Sequence, residues 1–324
     1  MFKKKRFSHF DKWNDICDVH IYIMRRLICL SVLMLCNLPL MGQTRLSIVD
    51  SITGKPIPYA HVVYGNHEGR YTDEDGIVTI PEEVKSFTIS HITYESKELD
   101  RQSLENGLIT MVPIITELRP AVVFPRDKRK ETIGYASAKR ESVYSGRNGF
   151  NIAEFFAYSA EWEYAPVISS VSLNLNTVNL KRNVTTRSAD GVERTDGVMH
   201  IAKLRIDLRG VDPATGGPGE SLINGGVIYS IKDKFNLRLH KLCKVTLPEP
   251  AVFPESGLFV VVEWIVTDDV RVQDSVSPSI WCTRAVDNQS SWMKWPVGTP
   301  WRRKAKDPYD NIQKSFCIGL DIMM

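Results

Sequence analysis

The sequence predicts an all-β protein built from two β-sandwich domains. Segments in which apolar and polar residues alternate with a period of two recur along the chain, and the longest covers residues 202–209. Clusters of glycine, proline, aspartate and asparagine separate these segments, as turns between strands require. The sequence shows no long amphipathic helical pattern. These observations favour packed antiparallel sheets over a mixed α/β fold.

The first domain is expected at residues 44–113. Leu46 and Ile48 mark a strand, and residues 53–56 form a turn before the chain resumes an extended course at residues 58–64. Two prolines, Pro56 and Pro58, exclude a helix in this stretch. A second turn at 72–76, with Gly76 placed for a positive φ, and strands at 77–81 and 86–92 complete the pattern.

A particular succession of residues makes the first domain recognisable. It consists of Asp50, then Thr53-Gly54-Lys55-Pro56-Ile57-Pro58-Tyr59-Ala60-His61-Val62, then Thr72-Asp73-Glu74-Asp75-Gly76, and finally Ile89-Ser90-His91-Ile92-Thr93-Tyr94. This succession resembles the carboxypeptidase regulatory-like domain family. The resemblance implies a transthyretin-like, seven-stranded β-sandwich of the kind common in exported proteins of Gram-negative bacteria. It also implies an accessory module without peptidase chemistry. Thr93 stands where the family usually has glycine, so we expect the strand end there to bend differently.

A second sandwich, of jelly-roll type, is expected at residues 150–324. Alternating segments at 171–175, 202–209, 235–239 and 316–322 predict its strands, and the nearly continuous apolar run at 258–265 predicts a strand covered on both faces. This half resembles, more loosely, the uncharacterised β-sandwich that often follows regulatory-like domains. Residues 114–149, with an expected strand at 122–124 and a charge run at 126–131, are predicted to be a linker between halves that fold independently.

The N-terminal residues 1–42 are predicted to be a leader. Within them, residues 24–42 have the pattern of a secretory signal peptide: Arg25 and Arg26 precede an apolar stretch at 27–40, and Gly42 offers a small residue for cleavage. The stretch is too short to span a bilayer well, which favours cleavage over an uncleaved anchor. We therefore expect an exported protein, in the periplasm or at the outer membrane or cell surface, with no transmembrane segment in the mature chain.

The distribution of charge argues against a nucleic-acid partner. Seven of the 41 Lys and Arg residues and three of the 38 Asp and Glu residues lie in positions 1–42. The remaining 34 bases and 35 acids make the body of the protein nearly neutral. A nucleic-acid binder usually carries a strongly basic surface.

Neither a cofactor nor a metal is expected. Cys243, Cys282 and Cys317, with His240, could supply four zinc ligands, but only His240 and Cys243 are close in sequence. Three cysteines after the leader allow one disulfide at most. The sequence contains no nucleophile elbow, phosphate loop or short zinc motif. Glu263, within the apolar run, is either a perturbed acid or, as we favour, an outward or hydrogen-bonded structural residue.

A cluster of tryptophans is the candidate binding site. Trp281, Trp292, Trp295 and Trp301 are four of the seven tryptophans, and Tyr309 and several lysines and arginines lie among them. Aromatic rings can stack on sugar faces while cations hold anionic groups, so Trp292, Trp295 and Trp301 are predicted to bind a glycan. The alternative, which the composition favours, is that these rings pack an irregular loop onto the sandwich while the basic side chains stay in solvent.

Two functions remain open from sequence alone. The first is a non-catalytic envelope protein, a structural or binding module for a glycan or an outer-membrane component. The second is a hydrolase that acts on polysaccharide or peptide, with its site in loops of the second domain. Two carboxylates facing one cleft would favour the hydrolase, whereas an exposed row of tryptophans would favour the binding module.

The leader gives a direct test of export. We expect the mature protein to begin near Gln43 and to be found outside the cytosol, because residues 24–42 have the charge and hydropathy of a signal peptide. N-terminal sequencing of the protein from fractionated cells measures this. An intact leader on protein in the cytosolic fraction would contradict the assignment.

Overall fold

The computed structural model describes residues 43–65, 68–104, 107–114, 129–176, 184–187, 193–196, 201–230, 242–267, 275–285, 291–295, 299–307 and 310–324. These residues form an all-β protein, which confirms the predicted fold class; their one helical segment is a 3-10 turn, Arg101–Ser103. Residues Thr44–Met324 form one compact unit. No helix within the described ranges is long and apolar enough to cross a membrane.

The first sandwich has seven strands, as predicted. They are β1 (Gln43–Asp50), β2 (His61–Tyr64), β3 (Glu68–Tyr71), β4 (Ile77–Pro81), β5 (Ser86–His91), β6 (Tyr94–Asp100) and β7 (Leu108–Met111). One sheet has the order β4-β1-β7 and the other the order β3-β2-β5-β6. The β1–β7 pair is parallel, and the pairs of the four-stranded sheet are antiparallel.

Residues from the recognisable succession fix the turns of this sandwich. The Asp50 carboxylate accepts hydrogen bonds from the backbone N–H groups of Ile52 and Thr53 and, at 2.9 Å, from the Tyr94 hydroxyl. Gly76 has a φ of 71°, and a Cβ atom there would lie 2.6 Å from the Ile48 carbonyl oxygen. Only glycine therefore fits this turn.

The approach to β2 differs from the sequence prediction. An extended course was expected at residues 58–64, but β2 begins at His61, and Tyr59 has a φ of 58°. A positive φ is uncommon for a residue other than glycine, asparagine or aspartate. Here the Tyr59 carbonyl accepts a hydrogen bond from Arg205 of the second sandwich at 2.9 Å. A contact distant in sequence thus stabilises a local conformation that the proline pattern did not predict.

The second sandwich contains two seven-stranded sheets. Their strands and one separate hairpin are β8 (Lys130–Gly134), β9 (Ser142–Arg147), β10 (Asn151–Phe156), β11 (Val167–Asn176), β12 (Val184–Arg187), β13 (Glu193–Asp196), β14 (Lys203–Val211), β15 (Pro218–Ser221), β16 (Val227–Tyr229), β17 (Leu242–Val252), β18 (Leu258–Ile265), β19 (Ser275–Arg284), β20 (Ser291–Lys294), β21 (Arg302–Arg303), β22 (Lys314–Phe316) and β23 (Ile318–Met323). One sheet has the order β15-β14-β18-β10-β20-β21, with β16 also paired to β14. The other has the order β22-β19-β11-β23-β8, with β17 and β9 paired to β11 and β19. The chain passes repeatedly between the two sheets, as in a jelly roll.

The second sandwich begins before residue 150. Strands β8 and β9 lie within the stretch expected to be a linker, yet β8 pairs with β23 and β9 pairs with β19. The charged residues Lys130 and Glu131 therefore stand on an edge strand, where charge is well tolerated. The expected strand at 122–124 and the alternating segment at 235–239 lie outside the described residues.

The apolar faces of the two large sheets meet in one core. Leu204, Ile206 and Leu208 of β14 and Val262 and Trp264 of β18 are fully buried there. The Trp264 indole N–H donates to the Pro278 carbonyl at 2.7 Å, so the one polar atom of this ring is satisfied. The alternation at 202–209 thus predicted correctly which face of β14 enters the core.

Gly146 gives a test of how closely this core is packed. A Cβ atom at position 146 of β9 would overlap the Trp264 indole, so Gly146→Ala should lower the free energy of unfolding by roughly 1–3 kcal/mol. Gly210→Ala is the matched control, because its nearest neighbour would be an ordinary 3.7 Å away. Urea unfolding measures both variants. Equal stabilities of the two would contradict the packing described.

Candidate functional site

The outer face of the β14 sheet carries a row of polar residues. The strand register places Lys294 of β20 opposite Asn151 of β10, Asn151 opposite Glu263 of β18, and Glu263 opposite Arg205 of β14. Residues directly opposite in neighbouring strands have side chains on the same face. Four strands therefore align one ammonium, one amide, one carboxylate and one guanidinium across the sheet.

The first sandwich covers this row. The Tyr71 hydroxyl donates to Glu263 Oε1 at 2.6 Å, and Arg205 Nη2 donates to the Tyr59 carbonyl at 2.9 Å. At the periphery Lys203 Nζ donates to Glu74 Oε1 at 2.8 Å. Polar contacts thus join the two sandwiches across the outer face of the β14 sheet. The alternating sequence of β14 alone would predict that this face lies in solvent.

Glu263 is the central acceptor of this interface. Arg205 Nη1 donates to its Oε2 at 3.0 Å, so each carboxylate oxygen accepts a bond from a buried group. Burial alone would raise the pKa of Glu263, but Arg205 and the Tyr71 hydrogen bond hold that pKa below its ordinary value. Glu263 is therefore an ionised, hydrogen-bonded structural residue, as favoured from the sequence.

Two histidines lie over the row in neutral form. The His61 ring stacks on Tyr71, with centroids 4.3 Å apart, and burial lowers the pKa of His61 to about 4. Burial likewise lowers the pKa of His91 to about 3. The unfolded chain binds these protons below about pH 6.5 whereas the folded chain does not. The stability that depends on neutral His61 and His91 is therefore fully present above about pH 6.5. It is lost as the pH falls from there toward the folded-state pKa values of about 4 and 3.

Gly69 makes room for the stacked pair. It lies on β3 opposite Val63, and a Cβ atom at position 69 would stand 2.7 Å from His61 Nε2. A similar close approach occurs on the other side of the interface, where a Cβ at Gly225 would stand 2.8 Å from the Thr93 methyl group. Thr93, which belongs to the recognisable succession, is thus in contact with the second sandwich.

A second carboxylate lies beside the row. Asp207 of β14 accepts hydrogen bonds from Ser221 Oγ at 2.7 Å and from Arg209 Nε at 2.8 Å. Burial raises the pKa of Asp207 despite the arginine beside it. Because Ser221 donates to one oxygen and Arg209 to the other, both oxygens of the Asp207 carboxylate are hydrogen-bonded, as those of Glu263 are.

The polar row, the two histidines and Asp207 line a partly open pocket of about 240 Å3. The first sandwich contributes His61, Ser90, His91, Ile92 and Ser96 to its wall. The second contributes Gly149, Asn151, Arg205, Asp207, Arg209, Val261, Glu263 and Lys294. Small-molecule sites occur preferentially at domain interfaces, and this polar pocket lies where the two sandwiches pack together.

The three predicted binding tryptophans have different environments. Trp292 is 6% exposed, packs edge-on against Phe259 and lies close to Gly217, so its ring is not open for stacking. Trp295 is 41% exposed, and Trp301 is partly buried. The packing alternative therefore describes Trp292, and a stacking face stays a prediction for Trp295 and Trp301.

The tryptophan cluster adjoins the pocket. The Lys294 ammonium, which lines the pocket, stands 5.9 Å from the centre of the Trp301 ring. The Arg303 guanidinium stands 5.3 Å from the Trp292 ring on the opposite strand. Tyr309 lies outside the described residues.

The three cysteines are buried thiols without a disulfide between them. Burial raises the pKa of Cys282 and of Cys317 to about 12, so both stay protonated at neutral pH. In the part of the chain that the structure describes, no three His, Cys, Asp or Glu residues are grouped as metal ligands would be. His240 lies outside the described residues.

Most of the pocket was not predicted as a site. Arg205, Asp207 and Arg209 were seen only as the polar half of an alternating strand, and His61 and His91 only as parts of the recognisable succession. The one available signal was the density of charge on β14 and Glu263 within an apolar strand.

No protein-family model matches the chain, and no curated protein matches it.

A double-mutant comparison tests how much the buried ion pair of Arg205 and Glu263 contributes to stability. Arg205→Met leaves the Glu263 carboxylate buried without its cation, so it should cost roughly 3–5 kcal/mol of unfolding free energy. Adding Glu263→Gln should recover part of this loss, because the neutral amide still accepts the Tyr71 hydrogen bond. Chemical denaturation measures both.

Lys203→Met is the matched control, since it removes a more exposed cation from the same strand. If Arg205→Met is no more harmful than Lys203→Met, Arg205 is not a buried anchor of the interface.

Proposed function

We propose that this chain is a non-catalytic exported envelope protein in which the two sandwiches together form a binding module for a glycan or another envelope component. The observation that carries the proposal is the polar pocket between the sandwiches, lined by residues of both. A spacer would not need charged groups sequestered under a second domain, whereas a binding site uses such groups to recognise polar ligands.

The protonation states of the pocket favour binding over catalysis. A general acid or base works best when its pKa lies near the working pH. His61 and His91 have pKa values of about 4 and 3, far below neutrality. The Glu263 carboxylate is held ionised by Arg205 and Tyr71. These groups are suited to fixed hydrogen bonding rather than to proton transfer at neutral pH.

The sequence and fold of residues 44–113 support the choice of compartment and class. The resemblance to regulatory-like domains implies a seven-stranded sandwich, and this chain has one. The leader pattern at residues 24–42 supports export. Together they are consistent with an accessory module of an envelope protein.

A hydrolase is the second candidate, favoured by one observation. Asp207 and Glu263 line the same pocket, and their pKa values are shifted in opposite directions, raised for Asp207 and lowered for Glu263. Such a divergence is the usual basis for assigning a general acid and its partner. The pocket volume of about 240 Å3 nevertheless suits one small group rather than a bond between two sugar rings.

Binding by Trp295 and Trp301 gives the test of the glycan proposal. Trp295→Ala and Trp301→Ala should each weaken retardation in gels that contain a bound polysaccharide by roughly two- to tenfold in affinity, because a stacked ring contributes about 0.5–1.5 kcal/mol. Suitable gels contain dextran as a neutral chain or polygalacturonate as an acidic one. Thermal melts of the same variants show whether the fold survives.

Trp292 of β20 provides the matched control variant, Trp292→Ala. Its buried ring should cost roughly 3–5 kcal/mol of stability when removed. Absence of retardation in every gel would contradict glycan binding. Release of reducing sugar that disappears in Asp207→Asn would establish the hydrolase instead.

A further inference from the structure

The pocket between the sandwiches contains one cation more than its carboxylates balance. Arg205 is paired with Glu263, and Arg209 is paired with Asp207. The ammonium of Lys294, the third cation in the wall, lies over the Trp301 ring and has no hydrogen bond or ion pair within the part of the chain that the structure describes. With both histidines neutral, the lining carries a net charge of about one positive unit.

The environment of Lys294 makes this ammonium a good partner for an anion. Burial lowers the pKa of Lys294, and the nearby Arg209 lowers it further. Its position in the row, opposite Asn151, keeps it on the covered face of the sheet. A bound negative charge would offset both effects, because an opposite charge close to a buried cation favours its charged form.

Arg205 adds an unused hydrogen-bond donor. Its side chain lines the pocket and the residue is 6% exposed, yet its Nε–H has no partner among the residues that the structure describes. Buried donors are rarely left without an acceptor, and one without a protein partner points to a ligand or water. The Nε atom has almost no accessible surface, so a ligand oxygen would satisfy it only after a small shift of the guanidinium toward the pocket.

His91 and two serines add neutral donors. His91 Nδ1 accepts from the Thr93 N–H at 3.3 Å and lies 3.0 Å from Thr93 Oγ1, so Nδ1 is engaged within its own turn and Nε2 is the ring nitrogen left for a ligand. The hydroxyls of Ser90 and Ser96 also belong to the wall. Such groups recognise the hydroxyls of a sugar, while Asp207 and Glu263 retain lone pairs that can accept from them.

We propose that this pocket binds a single carboxylate-bearing sugar, such as a hexuronic acid, with Lys294 and Arg205 holding the carboxylate. The inference rests on the proposed binding function and names its ligand class. One excess positive charge matches a monoanion better than a phosphate dianion. The pocket volume of about 240 Å3 matches one ring rather than an oligosaccharide. The ligand is thus the acidic residue at the end of a chain, or a free acidic monosaccharide.

Titration calorimetry of the full chain tests the ligand class. The probes are D-glucuronate, D-glucose, acetate and inorganic phosphate at neutral pH. Glucuronate should bind. Glucose, which lacks the carboxylate, and acetate, which lacks the sugar hydroxyls, should each bind at least tenfold more weakly. Equal or tighter binding of phosphate, or no binding of glucuronate, would overturn the proposal.

Variants locate the site. Lys294→Met should weaken glucuronate binding by at least tenfold, and Lys294→Arg should restore most of it. Lys306→Met, which removes an exposed lysine outside the pocket, should leave it unchanged. Thermal melts verify that the variants fold, and Lys294→Gln is used if the Met variant does not. Glucuronate binding that is insensitive to Lys294 would overturn the site.

Failure of this inference is distinguishable from failure of the proposed function. If retardation in polysaccharide gels depends on Trp295 and Trp301 while glucuronate does not bind in the calorimeter, the chain binds glycans but not through this pocket. If glucuronate binds and no polysaccharide causes retardation, the pocket serves a free sugar acid and the tryptophans do not form a glycan-binding face.

Discussion

The ion pair of Arg205 and Glu263 is stable only because the first sandwich covers and completes it. Two charges removed from water must have their remaining donors and acceptors satisfied, or their desolvation exceeds their attraction. The Tyr71 hydroxyl and the Tyr59 carbonyl supply those contacts from the first sandwich. The positive φ of Tyr59 accompanies the second of these contacts, whereas the stacking of His61 on Tyr71 follows from their pairing on β2 and β3. The position of one sandwich on the other is thus linked to the electrostatics of a single pair.

Local patterns predicted the faces of the strands but not what covers them. The alternation at 202–209 predicted the core face of β14, and the apolar run at 258–265 predicted that both faces of β18 are covered. Both properties depend on the neighbouring residues alone. The partner of the polar face could not be found in this way: Tyr71 and Glu263 are 192 positions apart in sequence. The same limitation explains Tyr59, whose conformation depends on Arg205, and the strands β8 and β9, whose partners lie near the end of the chain.

The candidate site shows the same contrast between what local sequence predicts and what contacts distant in sequence determine. Aromatic residues near basic ones directed attention to the tryptophan cluster, which does adjoin the pocket through Lys294 and Trp301. The composition could not show that Trp292 is buried against Phe259 while Trp295 is exposed, because that distinction depends on the pairing of β20 with β10. A site made from two domains leaves only a diffuse signal in either one: here, charges on an otherwise ordinary strand and histidines in an otherwise ordinary sandwich.

The central claim is that the buried polar row joins the two sandwiches, and cleavage of the chain between them tests it most directly. A specific protease site inserted within residues 115–128 would separate the fragments covalently. At neutral pH the two fragments should still elute together in size-exclusion chromatography, and the Arg205→Met substitution should separate them. Fragments that are folded but elute apart without any substitution would contradict the account, since the interface would then depend on the covalent connection and not on these contacts.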